Sequence, residues 1–292
     1  MRRSMLFLPG NNPNMLINAG CLGSDAVIFD LEDAVAPAEK DAARLLVRNT
    51  MRYMDLGGCE IVVRINSVDT DYWKKDLDII IPCKPDVILL PKSADPADIC
   101  LVDAYISDLE EKWQLEKGKV KIMPLIETAM GVENSFAIAR SCARVCALFL
   151  GAEDLTADLQ CKRTKEGREI EYARQRLVVA ARAAGVDVYD TPFTDVNDDE
   201  GIVADAQLAK AFGFTGKASI SPRHVEVINE VFSPTQAEIE YAYEVLEAIR
   251  VAKEMGKGAV SLRGKMIDAP IVARAERTID MAKALGLDRT EV

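Results

Sequence analysis

Eight apolar, β-branched runs recur along this chain, and between most of them lies a longer segment of helical periodicity. No other feature constrains the fold as much. The runs fall at residues 4–8, 26–31, 60–65, 86–90, 119–126, 146–150, 186–189 and 216–220. Among the intervening segments, residues 38–54, 96–116, 135–143, 169–184 and 198–212 space their apolar side chains three and four apart, as one helix face requires. Strand-then-helix repetition implies a parallel sheet, and eight units suit a closed barrel better than an open doubly wound sheet. No Gly-x-Gly-x-x-Gly turn follows any run, which argues against a dinucleotide-binding sheet. The expected fold is α/β, a (β/α)8 barrel of the TIM type.

Residues 236–255 read as the eighth barrel helix, charged on one side and carrying Ile239, Tyr243, Leu246 and Ile249 on the other. Gly256 and Gly258 break it, residues 259–262 read as a short extended piece, and a last helix runs to 284. The expected division is a barrel catalytic domain over 1–255 and a C-terminal extension or lid over 256–292.

The net charge of −11 argues against nucleic acid and anionic membranes as partners, because both are bound through clustered positive charge. No run approaches membrane-spanning length, and the first ten residues lack the apolar stretch of a secretion signal, so a cytoplasmic protein is expected. Seven cysteines lie scattered without CxxC spacing, as reduced thiols do. The single histidine, His224, leaves one candidate base for a Ser-His or Cys-His pair and reads as a surface or loop residue.

Barrel chemistry is built where strands end at their C-terminal face. The second run leads into Glu32 and Asp33, the fifth into Glu127, and the sixth stops at Gly151 and releases Glu153 and Asp154. Arg64, Lys92, Asp190, Thr191 and Ser221 complete the strand-end set. Carboxylates crowded on one rim resist ionisation unless protons, basic partners or a hard cation with oxygen ligands accompany them. Mg2+ is the expected cation. Arg64 ends an apolar strand, and its fork suits bidentate binding of a substrate carboxylate.

Several motifs then stand together in order: RSMLFLPG at 3–10, FDLEDAV at 29–35, VRIN at 63–66, LPK at 90–92, IE at 126–127 and GAEDL at 151–155. KASISP at 217–222, FSPT at 232–235 and GKMID at 264–268 continue the series. In this order the chain resembles the citrate lyase β-subunit group of the HpcH/HpaI aldolase/citrate lyase family. The resemblance implies a barrel with a C-terminal extension, magnesium on Glu127 and Asp154, and substrate contact by Arg64, with Glu127 beside it. The loop KRTKEG at 162–167 and the full-length tail look more like the citrate lyase subunit than its truncated relatives.

The implied reaction is retro-Claisen cleavage of a citryl thioester, on acyl carrier protein or coenzyme A, to oxaloacetate and an acetyl thioester. Glu32 is a candidate for the base or for support of the metal's water. Arg2, Arg3, Lys162, Arg163, Lys165, Lys217 and Arg223 form a candidate basic patch for the thioester arm, with Arg3 and Lys217 as substrate-binding residues. Asp268 reads locally as a helix N-cap; the resemblance implies an acid–base residue that a neighbouring subunit contributes. That makes a homo-oligomer, a trimer or a multiple, expected alongside the other citrate lyase subunits. The alternatives are a stand-alone malyl-CoA or citramalyl-CoA lyase and a non-catalytic assembly subunit of a carrier-protein complex.

Overall fold

The computed structural model describes residues 1–254 and 260–288. All eight runs form strands: β1 Ser4–Pro9, β2 Ala26–Asp30, β3 Glu60–Arg64, β4 Val87–Leu90, β5 Lys121–Ile126, β6 Ala147–Leu150, β7 Asp187–Asp190 and β8 Gly216–Ser219. Each pairs in parallel with the next, and β8 pairs with β1, so the sheet closes. The expected TIM-type barrel is therefore present. Its interior is a packed column of Met5, Ile28, Val62, Leu89, Met123 and Phe149 with their neighbours, not a pore.

Helices between the strands begin and end on local signals. Pro96–Lys112 starts on an Asp95 capping box reciprocated by Asp98, with Pro96 in the first turn. Glu171–Ala184 stops at Gly185, whose φ of 76° is a left-handed conformation that glycine adopts without steric cost. The helix directly after β8 is Arg223–Phe232. Asn229 on it accepts from Ser4 Oγ at 2.7 Å and donates to the Gly23 carbonyl at 2.9 Å.

By internal contacts the chain groups into Arg2–Asn229 and a second unit of Glu230–Val292 with Met1. In the second unit, helix Gln236–Glu254 packs along helix Ala269–Ala284, and β9 Val260–Leu262 pairs antiparallel with β10 Lys265–Ile267. Its core is Ala242, Val245, Ile267, Ala275 and Ile279. Residues 236–254 thus serve this core, and the place expected for them after β8 is taken by Arg223–Phe232. The break expected at Gly256 and Gly258, and the domain boundary after 255, lie outside the described residues. No helix among the described residues is long and apolar enough to cross a membrane.

Candidate active site at the barrel mouth

Every second residue of a barrel strand faces the axis. Ala26 and Ile28 of β2, Val62 of β3, and Met123 and Leu125 of β5 fill the interior. Two residues further along each strand come Asp30, Arg64 and Glu127, so three charged side chains emerge over one apolar column. With Asp33, Glu153 and Asp154 they line a cavity of about 480 Å3, walled otherwise by apolar groups such as Phe7, Phe149 and Ile220.

The β2–β3 register sets Asp30 opposite Arg64. Arg64 donates from Nε and Nη2 to the two Asp30 oxygens at 2.7 and 2.6 Å. Its Nη1 lies 3.1 Å from Glu32 and 3.5 Å from Asp33, and Phe7 lies under the guanidinium at 5.2 Å. The fork expected to meet a substrate carboxylate is therefore held by the protein along its Nε edge. Strand ends alone do not single out Asp30; counting inward positions along β2 from Ala26 and Ile28 does.

Glu127 Oε1 accepts the Lys92 backbone N–H at 2.6 Å, and Lys92 holds a positive φ of 51° to present it. Lys92 Nζ reaches Glu32 at 3.3 Å. Burial, and then the charge of Glu32, push the Glu127 carboxyl from 4.5 up to about 8. Burial also pushes Glu32 up to about 7, against the pull of Arg64. A Cβ on Gly151 would stand 2.6 Å from Glu127 Oε2, so this glycine leaves the space that Glu127 occupies. Asp154 enters the same cavity from the first turn of helix Ala152–Asp158.

This donor set fits a hard divalent ion. Two carboxylates share one cavity, and burial there disfavours the charged forms of Glu127 and Glu32, a cost that a bound cation would offset. Among the described residues no group of three or more His, Cys, Asp or Glu side chains is arranged to hold a metal. Magnesium does not require one, since it is commonly bound by one or two carboxylates plus water and substrate oxygens.

The raised carboxyl of Glu127 has a consequence for stability. Between about 4.5 and about 8 the unfolded chain has released a proton that folded Glu127 retains, so the folded state loses stability as pH rises through that window. With magnesium chelated, thermal unfolding should fall steadily from pH 5 to 8.5 in wild type, and Glu127→Gln should flatten much of the fall. Parallel profiles for the two proteins would remove this account of Glu127.

Two expected substrate contacts are corrected. Arg3 precedes β1, at the opposite end of the barrel from the cavity, and grips Asp25 at 2.9 and 2.7 Å. Lys217 sits between inward-facing Gly216 and Ala218, so its side chain points outward toward the helices. There it is fully buried, its Nζ 2.6 Å from Asp190, 2.5 Å from Asp205 and 2.7 Å from the Thr191 carbonyl. Arg174, also fully buried, completes this balanced network through the same two aspartates. Lys217→Ala should cost roughly 3–5 kcal/mol of stability, because two buried carboxylates are then left with Arg174 as their one cation among the described residues. A urea midpoint unchanged from wild type, with a raised KM, would return Lys217 to the substrate.

The candidate basic patch is likewise dispersed. Arg2 is paired with Glu60 at the bottom of the barrel, Arg163 with Glu169, Lys165 with Asp195 and Asp198, and Arg223 with Asp199. His224, expected in a loop or at the surface, lies in helix Arg223–Phe232, is 1% exposed and packs near Phe193. Asp268 belongs to the second unit, where its side chain accepts the Ile271 N–H at 3.2 Å and caps the last helix.

The sequence profile of the HpcH/HpaI aldolase/citrate lyase family matches residues 3–222. The chain belongs to that family. Within the family it is similar to citrate lyase subunit beta of Leuconostoc mesenteroides subsp. cremoris, 43% identical over 291 residues and covering 100% of this chain and 96% of that protein. It is also 34% identical over 295 residues to the mitochondrial citramalyl-CoA lyase of Homo sapiens, covering 97% of this chain and 86% of that protein. Among solved structures it matches the citrate lyase beta subunit from M. tuberculosis complexed with oxaloacetate and magnesium. That match has a TM-score of 0.68 at 29% identity and covers 80% of this chain and 97% of the other. The family expected from the motifs is borne out, and so is the enzyme class, carbon–carbon lyase.

Proposed function

We propose that this chain cleaves a citryl thioester to oxaloacetate and an acetyl thioester, with Mg2+, as the β subunit of a citrate lyase. The observation that carries the reading is the joining of Glu127, Asp154 and Arg64 in one largely apolar cavity at the strand ends. The likeness to citrate lyase subunit beta, and the oxaloacetate and magnesium held by the M. tuberculosis relative, support it.

Glu127 and Asp154 would hold the ion. The chemistry that magnesium supplies when bound is Lewis-acid polarisation of the substrate hydroxyl and its neighbouring carboxylate. Arg64 offers the remainder of its guanidinium to substrate charge, in a water-poor mouth where a preorganised cation contributes several kcal/mol. Glu32 supports Arg64 and Lys92 from behind. The apolar walls exclude water from the enolate that cleavage leaves. Carrier protein or coenzyme A bears the acyl group, and further citrate lyase subunits are the proposed partners.

The test is a panel of citryl, malyl and citramalyl thioesters, on coenzyme A and on carrier protein, offered to purified protein with magnesium. Citryl thioester should give the highest kcat/KM, and a chelator should abolish turnover. Faster cleavage of citramalyl-CoA or malyl-CoA would assign the chain to the stand-alone lyases instead.

A further inference from the structure

We infer that Asp30 is the positioning residue for Arg64 and selects the edge of the guanidinium that meets the substrate. The inference rests on the reaction proposed above and concerns a residue given no role there. A carboxylate has about four acceptor positions, and the protein fills them all. Oδ1 takes Arg64 Nε at 2.7 Å and the Glu32 N–H at 2.9 Å; Oδ2 takes Arg64 Nη2 at 2.6 Å and the Ala34 N–H at 3.1 Å. Although Asp30 borders the cavity, it has no free position for a metal or a substrate proton.

Its two pairs of contacts hold different things. The fork fixes the plane of the guanidinium. The two backbone bonds fix the turn that carries Glu32 and Asp33, the acids facing Arg64 Nη1. Asp30 itself is pinned, since its carbonyl accepts the Gly10 N–H at 2.8 Å and a Cβ on Gly10 would meet that carbonyl at 2.5 Å. Arg64 is thus oriented before substrate arrives: Asp30 occupies the Nε–Nη2 edge, and the edge turned away from Asp30 consists of the outer hydrogen of Nη2 and of Nη1, which Glu32 and Asp33 also face. Such preorganisation spares the reaction the cost of ordering a long side chain.

The experiment is a double-mutant cycle on kcat/KM with the citryl thioester that wild type cleaves, using Asp30→Asn, Arg64→Lys and the double variant. Asp30→Asn should lower kcat/KM by at least about tenfold, and the double variant should lie within about threefold of Arg64→Lys alone. Additive losses, as two independent structural defects give, would overturn the inference. If Asp30→Asn does not fold, Asp30→Ser replaces it, because the hydroxyl still accepts the Glu32 N–H but cannot hold a fork. Wild-type kcat/KM in either folded variant would also overturn it.

A readout independent of activity uses wild-type protein labelled with 15N-arginine, with the Arg64 Nε signal identified by its loss in Arg64→Lys. That Nε–H should exchange with solvent at least about tenfold more slowly than those of surface arginines. Exchange at the surface rate overturns the positioning role. Inactivity of wild type on every thioester would overturn the proposed reaction, and the exchange rate would still decide whether Asp30 holds Arg64.

Discussion

Asp154→Ala should fold as wild type does and cleave a citryl thioester at least about a thousandfold more slowly at every magnesium concentration. Several kcal/mol of transition-state stabilisation are attributed to a metal acting as a Lewis acid, and about 1.4 kcal/mol is tenfold in rate. The fold gives little reason for Asp154 to be retained structurally. It stands in the first turn of a seven-residue helix and makes no side-chain hydrogen bond or ion pair among the described residues. Its loss there costs the helix a favourable charge at its N-terminus, typically below about 1 kcal/mol. Circular dichroism and thermal unfolding should therefore be nearly unchanged, while calorimetric titration should show magnesium affinity lost or greatly weakened. Full turnover in Asp154→Ala would move the metal elsewhere, and collapse of the fold would move Asp154 to a structural role.

The barrel was legible because its strands are nearly continuous apolar runs, and the acids at their ends announce themselves by interrupting those runs. What the ends do not reveal is the direction of each side chain. Lys217 is one residue from the inward-facing Gly216 and Ala218, and that single step separates a cavity contact from a buried ion network behind the wall. Inward parity, counted from Ala218, is a signal that the sequence does contain. Arg3 fails for a simpler reason: it stands before its strand, and the chemistry stands after. The same parity along β2 finds Asp30, but its pairing with Arg64 needs the β2–β3 register, which no local pattern gives.

Length points to the wrong segment for the helix after β8. Arg223–Phe232 is only ten residues long, whereas Gln236–Glu254 runs to 19 residues and spends its apolar face on a core of its own. His224 reads from the sequence as a surface or loop residue. It is buried near Phe193, on the helix that follows β8.

Asp268→Asn should separate two roles that the sequence alone leaves together. The structure supplies the first: Asp268 caps helix Ala269–Ala284, accepting the Ile271 N–H, with Pro270 in the first turn. Asparagine and aspartate are about equal as N-caps, whereas alanine typically costs about 1 kcal/mol, so Asp268→Asn keeps the cap and loses only the acid. If capping is its whole task, the variant turns over normally. The family resemblance implies the second role, that of a proton donor contributed to a neighbouring subunit's barrel mouth, where the enolate left by cleavage must be protonated. On that account Asp268→Asn retains its melting temperature and magnesium binding but loses most turnover, at least about a hundredfold for a lost general acid. Arg64→Ala should be inactive for an unrelated reason, since its defect lies in the barrel. Equal mixtures of the two, allowed to exchange subunits, would then contain about a quarter of sites with both residues intact, one from each chain. Turnover should rise toward that fraction of wild type. Mixed oligomers demonstrated by mass spectrometry yet still inactive would place the donor within its own chain, and normal turnover by Asp268→Asn alone would leave the residue as a cap.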